Sequence, residues 1–139
     1  IDLLTSHTND NPVFYVQYAH ARISAVLRAA VEKGIEWQKN TFNPAVLITS
    51  QEAELLGALS EFPRIVAASA QLREPHRVAR YLEELATAYH SFYSACRVLP
   101  MDGELVTDVT NARLLLCAAT RQVVRNGLDL LGVGAPEKM

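Results

Sequence analysis

Only two cysteines, Cys96 and Cys117, stand among the 139 residues. They lie far apart and no CxxC or Cys/His cluster accompanies them. A four-ligand zinc site is therefore not offered, and buried free thiols of a reducing compartment, the cytoplasm, are expected. Long apolar runs are missing, which removes a bilayer-crossing segment from consideration. Strict alternation of apolar and polar residues is scarce, which removes strands. No glycine-rich phosphate loop, Ser/His/Asp signature or metal-binding helix motif occurs, so catalysis has no visible seat and no cofactor is expected on this chain. Paired acids such as Glu83-Glu84 point in different directions on a helix and solvate a face rather than share a proton. Positive charge is also in short supply. At a formal charge of −2, no global field draws in a polyanion, and binding to nucleic acid needs a local cationic patch on a domain that shares its ligand with a larger protein.

What is present is a sequence that is 50% hydrophobic, with apolar residues recurring at helical spacing almost throughout. One all-α domain over residues 1–139 is expected, a single bundle of about five helices. Its start, Ile1-Asp2-Leu3-Leu4, is neither an initiator methionine nor a basic signal region, and the chain reads as a piece of something longer. Asp10-Asn11-Pro12 announces the first helix, with Asn11 as its cap and Pro12 in a first-turn position that needs no amide donor; it should stop near Gly34. Loop signals follow at Asn40, Asn43 and Pro44. Thr49 to Glu52 has the form of a capping box before Leu55, Leu56, Leu59 and Phe62, and Pro63 ends or kinks that helix. A short helix from about Arg64 to Leu72 is expected next, then a longer one from Glu74-Pro75 toward Val98, closed by Pro100. The last helix should begin between Asp108 and Asn111 and end at Gly132, leaving a tail from Val133 to Met139.

On a helical wheel, Val13, Val16, Ile23, Leu27, Ala30 and Val31 form the core stripe of the first helix. His20 falls inside it and reads as a buried neutral histidine with a hydrogen-bond partner. Tyr15, Tyr18 and Arg22 fall on another stripe. Two rings beside a guanidinium make either a packed interdomain seam or a surface where a base stacks and its phosphate is held. In the fourth helix Val78, Leu82, Leu85, Tyr89, Phe92 and Cys96 make a narrow core stripe, with Tyr93 on its shoulder near His90 and Arg97. The last helix is apolar around most of its circumference, as suits a central helix. Its Arg121 and Arg125 form one cationic ridge that either pairs with acids of a neighbouring helix, such as Glu83 or Glu84, or contacts phosphate.

Asn11 to Arg22, NPVFYVQYAHAR, closely resembles the run that opens the anticodon-binding domain of arginyl-tRNA synthetases. Asn111 to Met139, NARLLLCAATRQVVRNGLDLLGVGAPEKM, is similar to the final helix and tail of that family's DALR domain, and SFYSACRVL, Ser91 to Leu99, resembles its aromatic pair before a cysteine. The resemblance implies a class I synthetase anticodon-binding bundle that grips the anticodon stem-loop of tRNA(Arg). ATP, with magnesium, would serve a separate catalytic domain of the same polypeptide, and this chain alone would not charge tRNA. Residue by residue, it implies that Tyr18 and Arg22 approach the anticodon loop, that Tyr93 stacks near it, and that Met139 packs beside those groups. Tyr15 and Gln17 border the same surface, and Arg121 and Arg125 are candidates for backbone contact. The rivals are a helical protein-interaction or interdomain scaffold module without base readout, and the related domain of another synthetase, which YAHAR disfavours.

Overall fold

A computed structural model describes residues 11–139. Ile1 to Leu4 and Asp10, read above as an internal start and part of a helix signal, lie outside the described residues. Within them the chain forms five α-helices: α1 (Pro12–Glu32), α2 (Ser50–Ser60), α3 (Phe62–Leu72), α4 (His76–Ala95) and α5 (Asp108–Leu130), with 3-10 turns at Trp37–Lys39 and Pro44–Val46. Only Glu61 separates α2 from α3, so the two can also be counted as one kinked rod, which gives four helices. No strand occurs among the described residues.

The helix ends follow from local chemistry. Asn11 caps α1, its side-chain oxygen accepting from the Val13 amide at 2.9 Å, and Pro12 stands in the first turn. The box at α2 is complete: the Glu52 amide donates to Thr49 Oγ1 at 3.1 Å, and the Thr49 amide donates to Glu52 Oε1 at 2.9 Å. Thr107 and Thr110 form an equivalent box at α5 that the sequence pattern does not announce. Pro63 breaks the rod by falling in the first turn of α3, where its missing amide leaves nothing unsatisfied. Gly132, at φ 72°, takes the left-handed conformation that closes α5 and turns the tail back over the bundle.

Helix α4 touches all four others, and α5 packs against α1, α2, α4 and both 3-10 turns. The central layer buries Ile23, Leu82, Leu85, Tyr89, Phe92, Leu114, Leu116 and Leu128 almost completely. Gly127 permits the close approach of α5 to α4, because a Cβ there would lie 2.6 Å from Leu82 Cδ2. Two expectations need correction. Val31, assigned to the core stripe, is 59% exposed although Ala30 beside it is fully buried, because Val31 stands at the edge of the stripe and borders an open cavity with Leu27, Trp37 and Arg121. Helix α4 stops at Ala95 rather than near Val98, because Cys96 turns extended and, with Val98, plugs into the core. Both cysteines are buried and free, and burial pushes the Cys117 thiol up to about 12.

Candidate nucleic-acid interface

Spacing along α1 divides its polar residues between two tasks. Tyr18 and Arg22, one turn apart, both point outward. The Arg22 guanidinium carbon lies 5.7 Å from the Tyr18 ring centroid and 6.0 Å from that of Tyr93, which α4 brings alongside. Tyr93 is half-buried because it stacks on Tyr89, with centroids 6.0 Å apart and planes tilted by 23°. Tyr89 is fully buried, and its hydroxyl faces Cys117 Sγ at 3.8 Å. A rigid aromatic column thus rises from the core and ends at Arg22.

Gln17, His20 and Arg28 do the second job. They hold the tail against α1 through its carbonyl oxygens. Gln17 Nε2 donates to Gly134 O at 2.9 Å, and Arg28 Nη1 donates to Glu137 O at 3.0 Å. His20 Nδ1 lies 2.6 Å from Pro136 O, which requires the proton on that nitrogen. His20 is completely buried, as its place on the wheel implies. Burial holds its pKa below the ordinary value, and the nearby charges of Arg125 and Arg121 push the same way against the raising effect of the Pro136 bond. Strapped in this way, Glu137, Lys138 and Met139 form one wall of a cavity of about 370 Å3 whose other wall is Tyr18, Arg22, Ala25 and Arg28.

The singled-out residues therefore do not all share one surface. Tyr18, Arg22 and Met139 line this cleft, and Tyr93 meets it through Arg22. Gln17 is occupied by the tail. Tyr15 lies in the α1–α4 seam, its hydroxyl 3.1 Å from Thr87 Oγ1 and its ring 5.6 Å from that of His90. Arg97 turns away from Tyr93 and pairs with Glu104 at 3.1 Å. Arg121 and Arg125 pair with neither Glu83 nor Glu84. The folded-back tail supplies a carboxylate instead, and Arg125 lies 3.6 Å from Glu137. In an acidic chain, a cationic surface thus gathers from Arg22, Arg28, Arg121, Arg125 and Lys138.

Sequence reasoning overlooked Arg113. Its Nε donates to Glu52 Oε2 at 2.8 Å and its Nη1 to Arg97 O at 2.9 Å, joining α5 to the start of α2 and to the segment after α4. Burial pushes the Glu52 carboxyl up, but hydrogen bonds from Arg113 and Thr49 outweigh it and hold the group below the usual carboxylate value. No group of three or more His, Cys, Asp or Glu among the described residues is placed to hold a metal ion, and no described helix is long and apolar enough to cross a membrane.

Comparison with known proteins identifies the family. The model of the DALR anticodon binding domain matches residues 16–139. The arginine–tRNA ligases of Frankia alni and Kineococcus radiotolerans are 60% and 58% identical over 139 residues, matching all of this chain and 25% of each of those proteins. The solved Thermus thermophilus arginyl-tRNA synthetase superposes with a TM-score of 0.72 at 30% identity, over 98% of this chain and 22% of that one. The chain thus spans about a quarter of the length of the curated relatives. With the family model covering all but the first residues, the chain belongs to the DALR anticodon binding domain family.

Proposed function

We propose that this chain is the unit of a longer arginine–tRNA ligase that holds the anticodon stem-loop of tRNA(Arg). The rest of that polypeptide would attach arginine in the cytoplasm, using ATP and magnesium. The observation that carries the reading is the contact of Arg22 with both Tyr18 and Tyr93 beside the strapped Met139. Arginine codons share G in the second position, so their anticodons share a middle cytosine and one tight base site suffices. The loop unstacks, an exposed base lies against Tyr18, and Arg22 with nearby backbone groups satisfies the cytosine edge or an adjacent phosphate. Tyr93, packed on Tyr89, backs the guanidinium and fixes its position. Arg121 and Arg125 extend the cationic surface toward the RNA backbone. Tyr15 and Gln17, already engaged within the fold, act on the site indirectly, one through the seam and the other through the tail.

In the full-length protein, Tyr18→Ala should weaken binding of an arginine tRNA transcript by about 1–3 kcal/mol, while activation of arginine by ATP is spared wherever it can be measured without tRNA. Unchanged affinity in a folded variant removes Tyr18 from the site. A transcript altered at the middle anticodon base should bind more weakly than the normal one, and indifference to that change supports the rival interaction module. That rival has an observation of its own, an apolar cavity of about 600 Å3 lined by Phe62, Pro63, Val66, Asn126, Asp129 and Leu130. It shares no residue with the cationic cleft and leaves the latter unexplained.

A further inference from the structure

Three guanidinium groups gather near one acidic residue where α1, α5 and the tail meet, and two of them bond to it. Arg28 donates to the Glu137 carbonyl oxygen at 3.0 Å, and Arg125 pairs with the Glu137 carboxylate at 3.6 Å. Arg121 is half-buried and, among the described residues, has neither a hydrogen bond nor an ion pair. Burial lowers its pKa first, and the charges of Arg125 and Arg28 add to that effect against the opposing carboxylate of Glu137. A guanidinium taken partly out of water beside like charges destabilises the fold that carries it. Such an arrangement is characteristic of a group whose counter-charge comes from a ligand.

Beside Arg121 opens a cavity of about 340 Å3. Leu27, Val31 and the indole of Trp37 give it an apolar wall, Arg28 and Arg121 set two positive charges against the single carboxylate of Glu32, and Gln38 provides a hydrogen-bonding group. Val31 belongs to the core stripe of α1 by its spacing, yet it is 59% exposed here. Arg28 lines both this cavity and the cleft of Tyr18 and Arg22, so the two are adjoining compartments on either side of one cation.

We propose that this cavity is a second nucleotide subsite, taking a phosphodiester-linked nucleotide of RNA with its phosphate on Arg121 and Arg28 and its sugar or base against Leu27, Val31 and Trp37. The subsite rests on the reading that RNA occupies the neighbouring cleft. It adds a station next to the base-reading one, where affinity is gained without discrimination between bases.

The test titrates the full-length protein with an arginine tRNA transcript across a range of salt concentrations. Arg121→Gln should reduce the slope of log affinity against log salt by about 0.7–0.9, the loss of one phosphate contact. It should leave discrimination at the middle anticodon base intact and the thermal midpoint of the free protein equal or higher. Val31→Glu, at an exposed position, should weaken the same binding by placing a like charge against the phosphate. An unchanged slope for Arg121→Gln overturns the proposal, and so does a lowered midpoint, which would make Arg121 a structural cation. If wild-type protein ignores the middle base while Arg121→Gln still loses slope, the base-reading cleft fails and the phosphate subsite stands.

Discussion

Arg113 and Arg121 are both half-buried on α5, yet they meet opposite fates. Arg113 finds a carboxylate and a carbonyl oxygen within 3 Å, each from a different part of the chain. Its partner Glu52 is completely buried and also closes the cap of α2, so Arg113 and this carboxylate together join three segments. Arg121 meets mainly like charge, with Arg125 and Arg28 nearby and a single acid shared among them. The same side chain on the same helix is thus a structural joint in one place and an unsatisfied cation in another. The difference is whether tertiary contacts deliver an acceptor, which shows how one helix can serve both stability and ligand recognition.

Breaking the joint should have the largest effect. Arg113→Met leaves Glu52 buried without its counter-charge, and denaturant unfolding should show a loss of about 3–5 kcal/mol. Adding Glu52→Gln should recover much of it, because the orphaned charge is then gone. A single-variant loss below about 1 kcal/mol would make the two arginines equivalent and dissolve the comparison.

Acid should reveal the same joint. The native pKa of Glu52 lies below its ordinary value of 4.5. Its contribution to stability is therefore complete above that value and is lost as pH falls from 4.5 through the lower native value. His20 and His90, both held below 6.5 chiefly by burial, bring an earlier decline. The unfolded chain takes up their protons as pH drops through 6.5, while the folded one resists. Stability followed against pH should thus fall in two windows, and Arg113→Met should abolish the lower one while sparing the upper.

Smaller effects are expected at the strap. His20→Leu removes the donor to Pro136 O, and unfolding should register a loss of about 1–3 kcal/mol. His20→Asn, whose amide can occupy the place of Nδ1, should recover part of it; equal losses for both would assign the effect to packing alone. The smallest change should come from Arg121→Gln, within about 0.5 kcal/mol and on the stabilising side. That sign, opposite to Arg113→Met, is the sharpest form of the comparison.

Much of the architecture could be read without coordinates because it depends on neighbours in sequence. The caps at Asn11 and Thr49, the break at Pro63 and the turn at Gly132 are all set by side chains within a few residues of the groups they satisfy. Periodicity likewise separated Tyr18 and Arg22 from the core and placed His20 inside it. Val31 went astray because a wheel cannot tell how far around α1 the neighbouring segments reach. The α5 ridge was assigned to Glu83 or Glu84 because the wheel had no means of seeing the tail return.

By itself, then, the amino-acid order determined an all-α chain, the ends of most helices, the composition of the core stripes and, through YAHAR and the tail, kinship with a family. Only the tertiary structure decided that Tyr93 would meet Arg22, that Gln17, His20 and Arg28 would hold a tail more than 100 residues away, and that Arg113 would be paired while Arg121 was not. Caps and stripes arise from forces acting within a turn or two of helix. Pairings between distant segments exist only once the burial of the apolar faces has fixed how the helices lie against one another.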